Sequence, residues 1–218
     1  MKICKKSRIP FIQITFRGII MKERPILFSA PMVRAIMEGK KTQTRRVWKQ
    51  PTSLCMKDDC LYATEHDARQ SFNPIARDEI VCPYGQRGDR LWVRETWQYS
   101  WAPEDADLKD CYIYKADFPE YKATPWRPSI HMPRAASRLT LEVMGVRVER
   151  LQDISEDDAS AEGCPLPMRQ RKQYVDRDDT AYGWFRQLWK VINGVESWDQ
   201  NPWVWVVEFK KVEAENGK

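Results

Sequence analysis

Apolar and polar residues alternate along this chain in short runs whose period changes several times. Positions 26–28, just after Pro25, are apolar and read as a short strand. Ser29 follows as a helix cap, and 30–38 reads as a helix with Pro31 in its first turn, where a missing N–H costs nothing. Met32, Val33, Ile36 and Met37 form one stripe at helical spacing, and Gly39 suits a left-handed stop. Residues 42–47 read as a strand, with β-branched Thr42 and Thr44 at alternate places. In 90–97, Leu91 and Val93 face one way and Arg90, Trp92 and Arg94 the other. Leu139, Leu141 and Val143 alternate; Val146 and Val148 then alternate in the opposite phase, which predicts a bulge or bend at Gly145. Ser155 and the acids Glu156, Asp157 and Asp158 open a short helix that stops at Gly163. A stronger helix is predicted over 181–193, with Ala181, Trp184, Phe185, Leu188 and Ile192 on one face. Residues 203–209 are apolar on both faces up to Val207, as in a central strand covered on both sides.

Two stretches break this pattern. Residues 48–88 are polar and punctuated by Pro51, Pro74 and Pro83, and they read as an insertion with little regular structure. Residues 98–135 read as a second insertion, with one strand at Tyr112–Tyr114 and a proline-punctuated run at 125–133. About six strands and three helices, without strand–helix alternation, predict an α+β fold: a small mixed β-barrel flanked by helices. A single domain over 21–212 carries the two insertions, with 213–218 as a tail. Neither a glycine-rich dinucleotide loop nor a phosphate-binding loop is present.

Composition narrows the class. The chain has 218 residues, 42% apolar and 31% charged, enough for a core and a solvated surface. The apolar run 9–16 is broken by Pro10 and Gln13 and is too short to span a bilayer, so a cytoplasmic protein without membrane insertion is expected. The net charge is +5, and residues 1–20 hold Lys2, Lys5, Lys6, Arg8 and Arg17 with no acid, so the rest is neutral. The body therefore lacks a global signature for nucleic-acid backbone, and any such contact has to be a local patch. Met21 is a second plausible start, and residues 1–20 read as an extension outside the fold. The six cysteines are expected as reduced thiols. Cys55, Cys60, His66 and Cys82 would make four zinc ligands, but their spacing is not that of a common knuckle, and neither metal nor cofactor is expected.

The sharpest chemistry lies at 39–46. On a strand, Thr44 and Arg46 share a face, and Lys41 stands just before it at the helix exit. A lysine and a threonine this close can act as base and nucleophile if the ammonium is pushed toward neutrality by burial or by cations such as Arg45 and Arg46. The same residues would equally form a solvated basic turn.

Gly39, Lys41 and Arg46 resemble the Gly-x-Lys-x-x-x-x-Arg signature of the ASCH domain family, whose fold is PUA-like. The run Gly88-Asp89-Arg90-Leu91-Trp92-Val93-Arg94-Glu95 resembles that family's turn and barrel strand, and Trp205-Val206-Val207-Glu208-Phe209 its closing strand. The segments 128–134 and 151–154 resemble its longer, phage-associated members. The resemblance implies an amidohydrolase acting on N4-acetylcytidine, with Lys41, Thr44 and, by position, Glu162 as catalytic residues. Glu162 would orient Lys41 or, as a protonated carboxyl, donate to the leaving amine. Arg46 would stabilise an oxyanion or hold a base carbonyl. The two insertions and the helix at 181–193 depart from the compact pattern and leave the substrate open.

Trp92, Trp97 and Trp126 are candidates for stacking a base, and His131 for reading a base edge; core packing and a loop hydrogen bond are the alternatives. Arg169, Arg171 and Lys172 form a small basic cluster near Tyr174. Three functions remain: amide hydrolysis on a modified nucleoside or RNA base, non-catalytic binding of RNA or a modified base, and RNA cleavage in the same pocket. Deleting residues 1–20 is expected to leave the melting temperature unchanged; a large drop in Tm would make the segment part of the fold.

Overall fold

The computed structural model describes residues 21–48, 53–57, 60–64, 81–99, 112–120, 125–165 and 180–212. Its centre is a five-stranded sheet in the order β1-β5-β8-β9-β2. Strand β1 (Glu23–Leu27) runs parallel to β5 (Arg90–Arg94). The remaining neighbours, β5 with β8 (Thr140–Arg150), β8 with β9 (Trp203–Lys211) and β9 with β2 (Gln43–Val47), are antiparallel. Two hairpins accompany it: β3 (Ser53–Lys57) with β4 (Cys60–Thr64), and β6 (Trp97–Tyr99) with β7 (Tyr112–Tyr114).

The fold is α+β, as the pattern predicts, but the small mixed barrel of about six strands is not found as a closed one. Among the described residues the ladder ends at β1 and β2 and does not close. A helix and a side chain join those two edges instead. Helix α1 (Ala30–Met37) leads from β1 to β2, and Arg46 Nη2 of β2 donates to the Leu27 carbonyl of β1 at 2.6 Å. Strand β1 starts at Glu23, three residues before the predicted start at Ile26, so Pro25 lies inside it, which an edge strand tolerates.

Two cores lie on the two faces of the sheet. On one, Val33 and Ile36 of α1 pack with Ile26, Leu91, Val93, Leu141, Val143, Val207 and Phe209. On the other, α2 (Glu156–Ala161) and α3 (Ala181–Asn193) pack Ala159, Ala181, Phe185 and Trp189 against Val204 and Val206. Strand β9 is apolar on both faces because each is covered: Trp205, Val207 and Phe209 enter the first core, Val204 and Val206 the second.

The phase switch in β8 is a bulge. Val143 pairs with Phe209 and Gly145 with Glu208, so Met144 is the extra residue. The slip keeps Val146 and Val148 against the first core and turns Arg147 and Glu149 toward α2 and α3. Without it those four side chains would exchange faces.

Other expectations shift. The 48–88 insertion contains the β3–β4 hairpin, so it is more regular than its composition predicts. The strand expected over 90–97 stops at Arg94, because Glu95 turns inward to Arg138 and Trp97 starts the second hairpin. Helix α1 buries Val33, Ala35 and Ile36 but leaves Met37 exposed. The buried line of α3 runs through Ala181, Phe185 and Trp189, and Ile192 is exposed because the contact with the sheet ends at Trp189. A third small cluster, Trp97, Met132 and Ala136 with Tyr112 and Tyr114, seats the β6–β7 hairpin.

Leu141→Ala is expected to cost about 2–5 kcal/mol in chemical denaturation, as a fully buried leucine does. Val191→Ala, on the 83% exposed end of α3, is expected to stay within about 0.5 kcal/mol. Equal losses would mean that the two residues share one environment.

Candidate functional site

The candidate site forms where the exit of α1 meets the end of α2. Gly39 adopts φ +71°, and the N–H groups of Lys40 and Lys41 both donate to the Ala35 carbonyl, at 2.8 and 3.0 Å. This tight exit aims the chain at α2. Lys41 and Glu162 form an isolated antiparallel bridge, and Thr42 N–H donates to the Ala161 carbonyl at 2.8 Å. Glu162 caps α2, and Gly163 follows at φ +97°. A Cβ on Gly163 would lie 3.1 Å from the Cβ atoms of both Ala35 and Lys41, so the close approach of the two segments requires glycine.

Lys41 is 2% exposed. Its Nζ donates to the Glu162 carbonyl at 2.9 Å and to Glu162 Oε2 at 2.6 Å, and sits 5.7 Å from the centroid of the Phe28 ring. Burial pushes the ammonium below the usual lysine range. The Glu162 carboxylate works against that shift, while Arg46 and Arg45 add to it.

Thr44 and Arg46 lie on the β2 face that meets the first core, paired with Val207 and Trp205 respectively. Thr44 is buried. The Arg46 guanidinium lies 5.3 Å from the Phe28 centroid, so Lys41 and Arg46 share that ring. Burial depresses the pKa of Arg46, with Tyr84 and Glu162 offsetting it, and its Nε has no hydrogen-bond partner among the described residues.

The opposite face of β2 carries residues that the sequence did not mark as a site. The Arg45 side chain is fully buried. It donates to Glu162 Oε1 at 3.1 Å, to Asp158 Oδ2 at 3.2 Å, and to Glu149 Oε1 through Nε at 2.9 Å and Nη2 at 2.5 Å. Gln43 Nε2 donates to the Asp158 carbonyl and to Asp158 Oδ1, both at 2.8 Å. Arg147 joins Asp158 Oδ2 at 3.0 Å and Glu149 Oε2 at 3.1 Å, and also pairs with Glu208. Burial raises the Asp158 pKa, but Gln43 and the two arginines more than offset it, and the net shift is downward. A signal was available: polar residues alternate at 43 and 45, and at 147 and 149, in strands whose two faces are both covered.

The other sequence-selected residues fall elsewhere. Trp92 points away from the Leu91 and Val93 side of β5, with the Arg94 and Arg134 guanidiniums 5.2 and 5.9 Å from its ring. His131 is exposed in a single turn of 3-10 helix, Ser129–His131. Arg94 holds that turn by donating to the Ile130 carbonyl and, at 3.1 Å, to the Met132 carbonyl. Trp92 and His131 therefore lie on the sheet face opposite Lys41, Thr44 and Arg46. Trp97 is buried under Arg127, and Trp126 is half-buried. Burial pushes the Cys82 thiol up to about 11. Among the described residues no group of three or more His, Cys, Asp or Glu is arranged to hold a metal ion. Side chains of Cys55, Cys60 and His66, and the basic cluster at 169–172, lie outside the described residues.

Comparison with solved structures finds similarity to the ASCH domain from Lactobacillus crispatus JV V101, at 12% identity and a TM-score of 0.42, covering 87% of this chain and 79% of that one. No family model matches the chain, and no curated protein matches it. No helix of the described residues is long and apolar enough to cross a membrane.

The depressed Lys41 pKa has a signed consequence. Below its folded pKa the lysine is protonated in both states and its burial cost is present in full. Between that value and the unfolded value near 10.5 the unfolded chain binds more protons, so stability rises with pH. In urea unfolding from neutral pH upward, the wild type is expected to gain stability relative to Lys41→Met as pH rises. Parallel profiles would mean that Lys41 keeps its ordinary affinity for protons.

Proposed function

We propose that this protein hydrolyses the amide of an N4-acylated cytidine, as a free nucleoside or within RNA. The observation that carries this reading is the buried Lys41–Glu162 pair, joined across 121 positions of sequence, with Thr44 and Arg46 on the adjoining strand. The choice of substrate class rests on the resemblance of Gly39, Lys41, Thr44 and Arg46 to the ASCH amidohydrolase pattern.

In this mechanism neutral Lys41 takes the proton of Thr44 Oγ1, which attacks the acyl carbonyl carbon. Arg46 stabilises the charge that develops on the carbonyl oxygen. The carbon–nitrogen bond then breaks, and the leaving amine takes the proton from the Lys41 ammonium. Water, with Lys41 again as base, hydrolyses the threonyl ester and restores the enzyme. Glu162 orients Lys41: both of its carboxylate oxygens are engaged as acceptors, which favours positioning over proton donation.

One feature favours a second reading. Trp92, with the Arg94 and Arg134 guanidiniums against its ring, is suited to stacking a base or tracking single-stranded RNA, without catalysis. RNA cleavage at the Lys41 site would instead require a substrate 2′-hydroxyl.

The test is incubation of the purified protein with N4-acetylcytidine, free and in a short RNA, with products followed by mass spectrometry. Acetate and cytidine are expected from the wild type. Thr44→Ala and Lys41→Ala are each expected to lower kcat by at least about 10²-fold while the fold is retained. A folded protein that turns over neither substrate sinks the hydrolytic reading, and retained RNA affinity, lost on Trp92→Ala, would then support the second.

A further inference from the structure

Arg45 has no part in the chemistry proposed above, yet its side chain is buried as completely as that of Lys41. A guanidinium is not withdrawn from water without counter-charges, and this one faces three carboxylates. Glu162 and Asp158 belong to the end and body of α2, Glu149 to β8, and the apolar ring of Phe185 on α3 covers it at 5.8 Å. The planar fork spreads its donors: Nη1 to Glu162, Nε and Nη2 to Glu149, and Nη2 also to Asp158. Glu149 and Asp158 are held in turn by Arg147.

The groups facing Lys41 are few: Glu162 from α2, Arg45 and Arg46 from β2, and the Phe28 ring that follows β1. Arg45 acts on Lys41 in two ways, as a cation nearby and as the donor that occupies Glu162 Oε1. With Oε1 taken, only Oε2 and the backbone carbonyl of Glu162 serve the ammonium.

We infer that Arg45 is a positioning residue for the Lys41–Glu162 pair: anchored by Glu149 and Asp158 on the outer face of the sheet, it clamps Glu162 Oε1 and leaves Oε2 alone to Lys41. The carboxylate pair at Glu149 and Asp158 thereby governs how readily Lys41 gives up its proton, although neither touches it. The catalytic meaning of this control rests on the hydrolytic reading; the control itself does not.

The experiment follows the Lys41 side chain through a pH titration by ¹³C NMR in the full chain, its signal assigned by its loss in Lys41→Arg. Arg45→Gln is expected to raise the Lys41 midpoint, lowering its acid dissociation constant by about threefold or more, because a cation leaves and Oε1 is freed. Asp158→Asn, at a position whose side chain is 30% exposed, loosens the anchor without touching the pair and is expected to move the midpoint the same way by a smaller amount; a shift the opposite way, which loss of a nearby carboxylate alone would give, overturns the clamp. It also keeps the proposal testable if Arg45→Gln does not fold. Glu208→Gln, which touches the network only through Arg147, is expected to leave the midpoint in place. A structural tie between α2 and the sheet would lower Tm in Arg45→Gln and Asp158→Asn alike and leave Lys41 unmoved, and that result overturns the proposal. Midpoint shifts in the same direction in a protein that turns over no acylcytidine would uphold the clamp and sink the hydrolytic reading. Turnover with an unmoved midpoint would do the reverse.

Discussion

A lysine ammonium cannot leave water alone, and the arrangement around Lys41 follows from that constraint. Its charge is met by Glu162, whose second oxygen is met by Arg45, whose remaining donors are met by Glu149 and Asp158; Arg147 and Glu208 carry the chain toward solvent. With Arg46 counted, four basic side chains and four carboxyl groups make up the group, and its inner members are buried. Each link is costly to break because removal of one partner leaves another buried charge uncompensated. The network therefore binds α2 to β2 and β8 as it sets the electrostatics at Lys41.

That network exists only because the sheet is built to receive it. The extra residue Met144 in β8 reverses the facing of everything after it, placing Arg147 and Glu149 beside Arg45 and keeping Val146 and Val148 in the apolar core. Gly163 does the same at short range: it admits the Lys41 backbone to within contact of the end of α2. Arg46 then serves two masters. Its guanidinium ties the edges of the open sheet through Leu27 and stacks on the Phe28 ring that Lys41 also uses. Sheet closure and the site are thus coupled through one side chain.

A second buried pair shows the contrast between a structural ion pair and a candidate site. Glu95 receives both forks of Arg138, which also holds Asp117 and lies 4.0 Å over the Tyr114 ring. Burial raises the Glu95 pKa and the Arg138 contact opposes it. All these groups belong to the seat of the β6–β7 hairpin. They fasten that insertion to the sheet.

Local order was legible in the sequence because its causes are local. The cap at Ser155, the stop at Gly39, the bulge at Gly145 and the doubly apolar β9 each follow from steric limits or periodicity within a few residues. The Gly39–Arg46 segment stood out as a candidate site because Lys41, Thr44 and Arg46 are close along the chain. The pairing of Glu162 with Lys41 was implied by resemblance alone, and burial and the other partnerships were not legible, since they depend on which segments meet. Only the tertiary structure places Arg45 among three carboxylates and sends Trp92 and His131 to the other face of the sheet. Ile192 and Met37 were misjudged for the same reason: a helical stripe marks a face, but where the opposing surface ends is decided by the sheet it packs on. The sequence by itself determined the periodicities and the turns. The tertiary structure decided the charges, because a charge is priced by its surroundings and those come from distant parts of the chain.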